Sequence, residues 1–182
     1  MKFISAPVEG IVVIEPRVFQ DNRGFFLETY QEEKFAKAGL PTCFPQDNHS
    51  GSKKNVLRGL HYQIKHPQGK LLRVLVGELY DVAVDIRASS RTFGRWFGIV
   101  LSAENKTQLW IPPGFAHGFY VLSDWSEVVY KTTDYYAPEF ERTLLWNDSN
   151  LAIPWPLLPG IAPIISAKDA MGSSLEDAEL FD

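Results

Sequence analysis

The sequence predicts a mainly β domain, a sandwich or a barrel, and three observations indicate this class. Short runs rich in β-branched and aromatic residues recur along the chain, separated by glycine, proline and polar residues, as in antiparallel sheets. In residues 79–86, two different sets of side chains alternate with the period of a half-buried strand. The composition, with 45% hydrophobic and 13% aromatic residues in 182, indicates a chain that buries its own core.

The predicted elements follow one another along a single domain, residues 1–182, without an internal repeat or a dividing linker. The expected strands are 11–14, 24–30, 56–63, 71–76, 79–86, 96–101, 108–111, 116–122, 127–133 and 144–146. Gly77-Glu78 predicts a tight hairpin turn. Residues 31–38 predict the one helix, because acidic residues come first, lysines follow and a Gly-Pro stop ends it. The proline-rich tail from Ile153 is expected to wrap over the surface, since proline cannot join a central sheet.

Charge and apolar patterning argue against several classes of protein. The formal net charge of -4 provides no basic field for binding nucleic acid. The longest apolar run, residues 96–101, is far shorter than the roughly 20 residues of a membrane-spanning helix. A single cysteine, Cys43, cannot form an internal disulfide, and residues 1–10 lack the apolar core of a signal peptide. We therefore expect a cytoplasmic protein that does not bind nucleic acid or membranes.

One strand-like run, residues 56–63, carries an arginine, a glycine and a histidine among apolar residues. A histidine on such a strand is more often structural than catalytic, so His61 needs support from its context. Strand alternation places Arg58 and His61 on opposite faces. A shared pocket therefore requires a bulge or twist near Gly59, the residue type that permits one. The residues alone leave Asp81 and Asp85 open as carboxylate partners of His61.

Several other polar residues have a structural explanation as well as a functional one. His117 follows a rigid Pro-Pro-Gly turn, where it can enter the mouth of a barrel or bond a loop carbonyl. Tyrosines crowd residues 130–136, as on many packed sheet faces. Lys168 adjoins Asp169, as in many solvated surface pairs. The polar clusters at 20–24 and 46–49 are explained by turn chemistry.

The histidines raise the question of a metal site. The pattern Pro112-x-Gly114-x-x-His117 resembles the second motif of the cupin superfamily, and the His61 region occupies the place of the first. Metal-binding cupins usually have His-x-His and a downstream glutamate in the first motif, where this chain reads His61-Tyr62-Gln63. Val121 replaces the usual asparagine of the second motif. The resemblance implies a cupin-type jelly roll, a β-sandwich barrel with few short helices, that binds no metal.

Nine strings spread along nearly the whole chain carry a closer resemblance. They are D-N-R-G-F-F, Q-D-N-H-S, V-L-R-G-L-H-Y-Q, Q-G-K-L, G-E-L-Y-D-V-A-V-D-I-R, S-A-E-N-K-T-Q-L-W-I-P-P-G-F-A-H-G-F, Y-K-T-T-D-Y-Y-A-P-E, L-W-N-D and S-A-K-D-A. In this order they resemble the dTDP-4-dehydrorhamnose 3,5-epimerase family of dTDP-L-rhamnose biosynthesis. The resemblance implies a dTDP-4-keto-6-deoxyhexose substrate, inverted at carbons 3 and 5 without a cofactor.

The resemblance also implies roles for individual residues. His61 is the base, Asp169 its dyad partner, Lys70 the stabiliser of the enolate and Tyr130 the acid on the opposite face. Further positions match residues that contact the substrate in similar enzymes: Arg58, Arg23 and Lys168 as cations that hold the substrate and suit its phosphates, Tyr136 on thymine, and Gln46, Asn48, Glu28, Glu141 and His117. In similar enzymes the counterparts of Arg23 and Glu28 come from the partner subunit of a homodimer.

Three alternatives remain at this stage. Relatives include enzymes that invert only one carbon or isomerise the keto group, although Tyr130 favours the double reaction. A non-catalytic carbohydrate-binding jelly roll would use the aromatic residues for stacking and would leave His61 structural. A metal-dependent cupin oxygenase is the third.

Overall fold

Two antiparallel β-sheets lie face to face in the computed structural model, which describes all residues from Met1 to Asp182. The strands are β1 (Lys2–Ser5), β2 (Val12–Glu15), β3 (Val18–Asp21), β4 (Gly24–Leu27), β5 (Gln46–Lys53), β6 (Leu57–Gln63), β7 (Lys70–Val76), β8 (Glu78–Asp85), β9 (Trp96–Ser102), β10 (Gln108–Ile111), β11 (Phe115–Val121), β12 (Trp125–Thr132) and β13 (Glu141–Thr143). The helices are α1 (Glu32–Lys37), α2 (Ala167–Ala170) and a 3-10 turn at Pro138–Phe140.

One sheet has six strands in the order β1-β2-β10-β7-β12-β5, and the other has five in the order β13-β6-β11-β8-β9. The strands β3 and β4 form a separate two-stranded hairpin. This arrangement confirms the predicted mainly β sandwich. Neither helix is long and apolar enough to cross a membrane.

The core between the sheets contains 13 buried residues drawn from both layers and from the chain before β2. Leu72, Leu109 and Val128 face it from the six-stranded sheet, and Leu79 and Phe119 face it from the other sheet. Fully burying a side chain of this size contributes about 1.5–3 kcal/mol, so this layer holds the two sheets together.

The outer face of the five-stranded sheet is also buried, which corrects the prediction of a half-buried strand at 79–86. The alternation in β8 is present, since Leu79 and Ala83 face the inter-sheet core while Val82 and Val84 face outward. The outward side chains pack against the C-terminal tail, residues 153–182, where Trp155, Leu157 and Phe181 join them. The tail has no strand of its own, pairs with the rest of the chain through isolated bridges and packs over the outer face of this sheet, as the proline content predicts.

The predicted helix at 31–38 is confirmed as α1. The side chain of Gln31 accepts a hydrogen bond from the backbone N–H of Lys34 at 2.7 Å, which caps the helix at its start. Phe35 is fully buried against Ile14, Leu71 and Trp110 on the outer face of the six-stranded sheet. The helix therefore covers part of that face.

The predicted hairpin at Gly77-Glu78 is wrong. The strands before and after it, β7 and β8, belong to different sheets, so the chain turns a corner between layers there. Gly77 has φ of +73°, and a Cβ at this position would lie 2.0 Å from the carbonyl oxygen of Trp125. Glycine allows the corner because it tolerates this backbone geometry and the close approach.

Two other predictions about strands need correction. The cluster at 46–49 is not a turn but the start of β5, an edge strand that pairs along its full length with β12. The strand predicted at 144–146 lies earlier, at β13. Leu144 follows it, exchanges backbone hydrogen bonds with Leu60 at 2.9 and 3.2 Å, and makes an isolated bridge to Ser173. The strand β5 was not predicted because its own sequence has no apolar residue. It forms a strand because it pairs with β12, which carries apolar residues.

Candidate active site

A cavity of about 130 Å³ lies between the two sheets. Its lining residues come from β5, β6, β7, β11 and β12 and are Ser50, Arg58, His61, Lys70, His117, Gly118, Phe119 and Tyr130. Larger cavities occur at the β3–β4 hairpin and beside Tyr30 and Leu71, but they contain no histidine. The inter-sheet cavity is the place where titratable side chains converge, which makes it the candidate active site.

The backbone distortion that the sequence requires is present at Gly59. This residue has φ of +117° and is followed by a cis peptide bond to Leu60. His61 pairs with His117 and Arg58 pairs with Phe119, so β6 advances three residues where β11 advances two. Arg58 and His61 consequently line the same cavity, although simple alternation separates them.

His61 and Asp169 form a short hydrogen-bonded pair. The Nε2 atom of His61 lies 2.6 Å from Oδ1 of Asp169, and the backbone N–H of Gly59 donates to Oδ2 at 3.3 Å. Asp169 is only 2% exposed. Burial acts to raise the pKa of its carboxyl, but bonding to His61, to the backbone N–H of Gly59 and to Ser166 outweighs this effect and holds the pKa below its usual value. The geometry assigns the carboxylate partner of His61 to Asp169, and neither Asp81 nor Asp85 takes that place.

Lys70 and Tyr130 face His61 from the opposite sheet. The Nζ atom of Lys70 donates to the backbone carbonyl of His61 at 3.4 Å. Burial lowers the pKa of Lys70 to about 8, and the charges of Asp81 and Glu141 offset part of this effect. Burial is also the largest cause of the raised pKa of Tyr130, so its hydroxyl keeps its proton at neutral pH.

His117 forms a second pair, with Asp81. Its Nε2 atom lies 2.8 Å from Oδ2 of Asp81, whose other oxygen is buried without a hydrogen-bond partner. Burial lowers the pKa of His117, and the Asp81 carboxylate opposes that shift only in part. The pair therefore places an imidazole that tends to stay neutral at the cavity wall.

Arg58 is held by the edge strand of the opposite sheet. Its Nε donates to Oγ of Ser52 at 3.0 Å and its Nη2 to the carbonyl of Gly51 at 3.3 Å. These two hydrogen bonds, both donated by Arg58, fix the direction of the guanidinium, whose fork suits phosphate oxygens.

Five further predicted residues form a connected polar cluster. Lys168 contacts Glu141 at 2.7 Å, and the hydroxyl of Tyr136 donates to the same carboxylate at 2.8 Å. The backbone N–H of Tyr136 donates to Gln46 at 2.8 Å, and Gln46 in turn donates to Asn48 at 2.9 Å. Burial acts to raise the pKa of Glu141, but Lys168 and Tyr136 hold it below its usual value. The half-exposed ring of Tyr136 leaves a face for stacking.

Arg23 and Glu28 do not reach this cavity within the chain. Arg23 lies in the turn of the β3–β4 hairpin and bonds Asp21, with its side chain 89% exposed. Glu28 pairs with Lys34 of α1. Their place in an active site remains a prediction.

Three residues that line the cavity, Ser50, Gly118 and Phe119, were not among the predicted site residues. Strand periodicity offered a signal for two of them. Phe119 lies two residues after His117, and Ser50 lies two residues after Asn48, so each shares a strand face with a predicted site residue. Gly118 permits the close approach of β6, because a Cβ there would lie 2.5 Å from the carbonyl oxygen of Arg58.

Comparison with known proteins gives a consistent result. A sequence model described as dTDP-4-dehydrorhamnose 3,5-epimerase matches residues 5–177. The dTDP-4-dehydrorhamnose 3,5-epimerase of Pseudomonas aeruginosa is 55% identical over 182 residues, which span 100% of this chain and 99% of the relative.

Solved structures show the same likeness. A dTDP-6-deoxy-D-glucose-3,5-epimerase from Legionella pneumophila, crystallised with dTDP-4-keto-L-rhamnose, is 50% identical with a TM-score of 0.93, covering 98% of this chain and 94% of that one. A 3'-monoepimerase from Streptomyces bikiniensis, in complex with dTDP-quinovose, is 34% identical with a TM-score of 0.88, covering 94% and 86%.

Proposed function

The chain belongs to the dTDP-4-dehydrorhamnose 3,5-epimerase family, and we propose that its inter-sheet cavity carries out that reaction through His61, Lys70 and Tyr130. The substrate is dTDP-4-dehydro-6-deoxy-D-glucose and the product is dTDP-4-dehydro-L-rhamnose. One observation carries the proposed mechanism: a base paired with a carboxylate and a proton-bearing tyrosine face each other from opposite sheets across one cavity.

The chemistry follows from the ketone at carbon 4. Its carbonyl acidifies the protons on carbons 3 and 5, so removal of either proton moves an electron pair into an enolate. Return of a proton from the opposite face inverts the carbon and restores the ketone. Substrate and product are isomers, so the reaction consumes no oxidant, reductant or other cofactor.

His61 removes the proton in this mechanism. Its Nε2 bonds Asp169 at 2.6 Å, so Nδ1 is the nitrogen left for the substrate. Asp169 fixes the ring and stabilises the imidazolium that forms when the proton arrives. The carboxylate is suited to that role because its lowered pKa keeps it charged.

Lys70 stabilises the enolate oxygen as charge develops there. Its ammonium lies beside the backbone of His61 in a buried position, where a fixed positive charge acts strongly. Tyr130 donates the proton from the other wall. Its raised pKa keeps the phenol protonated until the enolate forms.

The nucleotide occupies the polar rim of the cavity. Arg58 and Lys168 supply positive charge to the diphosphate, and Tyr136 stacks on thymine. Gln46, Asn48, Glu141 and His117 complete the substrate contacts. A local basic set of this kind explains how a chain with net charge -4 takes an anionic ligand.

The functional unit in this proposal is a cytoplasmic homodimer of a single-domain chain, residues 1–182. The β3–β4 hairpin exposes Phe19, Phe25 and Phe26 by 49%, 58% and 70%. Packing of this hairpin on a second copy would bury these rings and bring Arg23 and Glu28 to the partner's cavity.

The activity is tested by product analysis. The purified chain is incubated with dTDP-4-dehydro-6-deoxy-D-glucose and an NADPH-dependent 4-ketoreductase that acts on dTDP-4-dehydro-L-rhamnose, and the products are separated and identified by NMR. We expect dTDP-L-rhamnose. Its absence, with the substrate and reductase shown to be active, would contradict the proposal.

A mono-epimerase that inverts carbon 3 alone is the second candidate. The likeness to the 3'-monoepimerase from Streptomyces bikiniensis supports it, at lower identity than the likeness to the double epimerases. A product inverted only at carbon 3 in the same NMR analysis would favour this candidate.

A further inference from the structure

Asp169 reaches the proposed base from a part of the chain that is distant in sequence. It lies 108 positions after His61, on the short helix α2 of the C-terminal tail. The helix has only four residues and follows Ser166, whose hydroxyl accepts a hydrogen bond from the backbone N–H of Asp169 at 3.1 Å. A helix this short does not fix its own position, so the contacts of the tail on either side must place the carboxylate.

The segment before α2 is bonded to the start of β6. The backbone N–H of Leu57 donates to the carbonyl of Ile164 at 2.9 Å, and the N–H of Ile164 donates to the carbonyl of Asn55 at 2.8 Å. The side chain of Asn55 adds a third bond, from Nδ2 to the carbonyl of Ala162 at 2.8 Å. These bonds set the register of the tail against β6, the strand that carries His61.

The side chain of Asn55 is held by a hydrogen bond from a buried tyrosine, Tyr120. The hydroxyl of Tyr120 donates to Oδ1 of Asn55 at 2.7 Å and accepts from the backbone N–H of Leu158 at 3.3 Å. Tyr120 is 1% exposed and Asn55 is 7% exposed. Both polar ends of the amide are therefore used, and φ of +67° suits asparagine better than most other residues.

We propose that Asn55 is a positioning residue for the reaction: it holds the tail against the start of β6 and thereby keeps Asp169 in contact with His61. The inference rests on the proposed role of His61 as base. Asn55 and Tyr120 clamp the tail at residues 158–164, and α2 follows directly. The His61–Asp169 bond is 2.6 Å long, so a shift that moves the carboxylate about 1 Å from the ring lengthens it beyond hydrogen-bond range.

The far side of α2 is held independently. The backbone N–H of Ser173 donates to the carbonyl of Thr143 at 2.9 Å, and Leu145 donates back to Ser173 at 2.9 Å. Within α2, Lys168 contacts Glu141 and Asp169 accepts from the backbone N–H of Gly59. Loss of the Asn55 side chain therefore loosens one of several anchors. We expect a partial effect, smaller than the loss of Asp169 itself.

The test variant is Asn55→Gly, because glycine accepts the positive φ and keeps the backbone bonds while removing both side-chain bonds. We expect kcat to fall about tenfold with KM changed by less than about threefold. In an Asp169→Ala background, the same change should produce no further fall, since the group through which it acts is absent. An equal fall in both backgrounds, or an unchanged kcat in the first, would overturn the proposal.

Two further variants guard against a general loss of folding. Tyr120→Phe keeps the ring and removes only the hydroxyl, so a smaller fall in kcat is expected, again absent in the Asp169→Ala background. Tyr62→Phe is the matched control, because it removes another buried tyrosine bond to the tail, to the carbonyl of Glu179 at 2.7 Å, beyond α2. It should leave kcat unchanged, and a fall equal to that of Asn55→Gly would contradict the assignment.

A spectroscopic readout separates this inference from the proposed reaction. The proton between His61 and Asp169 is expected to give a downfield, exchange-protected NMR signal in the wild-type protein. Asn55→Gly should shift or broaden that signal and Tyr62→Phe should not, whether or not the chain epimerises a sugar. A signal unchanged by Asn55→Gly would overturn the positioning role even if the epimerase activity is established.

Discussion

Two histidine–aspartate pairs face each other across neighbouring strands, and they differ mainly in burial. His61 and His117 are direct partners in the β6–β11 ladder. The side chain of His61 is 28% exposed, whereas that of His117 is 10% exposed. Burial lowers the pKa of His117, and its partner Asp81 comes from the adjacent strand β8. The same two residue types are thus suited to different work: an accessible base at His61 and a fixed, neutral group at His117.

The origin of the two carboxylates also differs. Asp81 is fixed by the sheet itself, because it pairs with Phe119 in the β8–β11 ladder, two residues from His117. Asp169 depends on the correct docking of a long tail. The His117–Asp81 pair therefore lies within one sheet, while the His61–Asp169 pair joins a sheet strand to the docked tail.

The largest expected effect comes from removing each histidine in turn. His61→Ala should lower kcat by about 10³-fold or more and leave the Kd for dTDP within about threefold, because it removes the base and not the nucleotide contacts. His117→Ala should act mainly on KM. Steady-state kinetics and calorimetric titration with dTDP measure both. Equal losses of kcat in the two variants would remove the distinction between the pairs.

The pH dependence of kcat/KM should report on Lys70, which lies near both histidine–aspartate pairs. Its pKa of about 8 means that the ammonium is present below that pH and lost above it, so kcat/KM should fall about tenfold per pH unit on the alkaline side. The raised pKa of Tyr130 places its own ionisation higher. Lys70→Arg keeps a positive charge at this position at all relevant pH values. The pH profile of its kcat/KM should therefore lack this alkaline limb, and its maximal kcat/KM should be lower than that of the wild type. An alkaline limb that stays near pH 8 in Lys70→Arg would assign it to another group.

A smaller effect, a shift of the alkaline limb, should distinguish the carboxylate of Asp81 from that of Asp169. The charge of Asp81 raises the pKa of Lys70, so Asp81→Asn should move the alkaline limb of kcat/KM to lower pH. The rate at pH 7 should fall by less than about tenfold. Asp169→Asn is the matched control, because Asp169 is not among the charges that act on Lys70. The account fails here if Asp169→Asn moves the limb and Asp81→Asn does not.

The sequence predicted much of the fold because local patterns determine much of it. The alternation in β8 and the order of charges along α1 are local, and both are present. The corner at Gly77 was not predictable from a turn signal, because the same Gly-Glu pair suits a hairpin within one sheet or a passage between two. The strand β5 has no apolar residue, so only its pairing with β12 makes it a strand.

The site was predictable to a different extent. Motif resemblance pointed to His61 and Asp169 together, whereas the residues alone offered Asp81 or Asp85, which are closer in sequence. Without that resemblance, no hydrophobic or turn pattern indicates that a tail 108 positions away reaches His61, since this depends on tertiary packing. The distortion at Gly59, by contrast, followed from a conflict between strand alternation and a shared pocket, and the structure contains it.

If a base on one sheet and an acid on the other invert both carbons, each inverted carbon takes up a proton from solvent, and heavy water reveals this uptake. Wild-type protein is incubated with dTDP-4-dehydro-6-deoxy-D-glucose in heavy water, the product is reduced, and the label at each carbon is measured by NMR. We expect deuterium at carbons 3 and 5 in a product with inverted configuration at both. Deuterium at carbon 3 alone, with carbon 5 uninverted, would contradict the account.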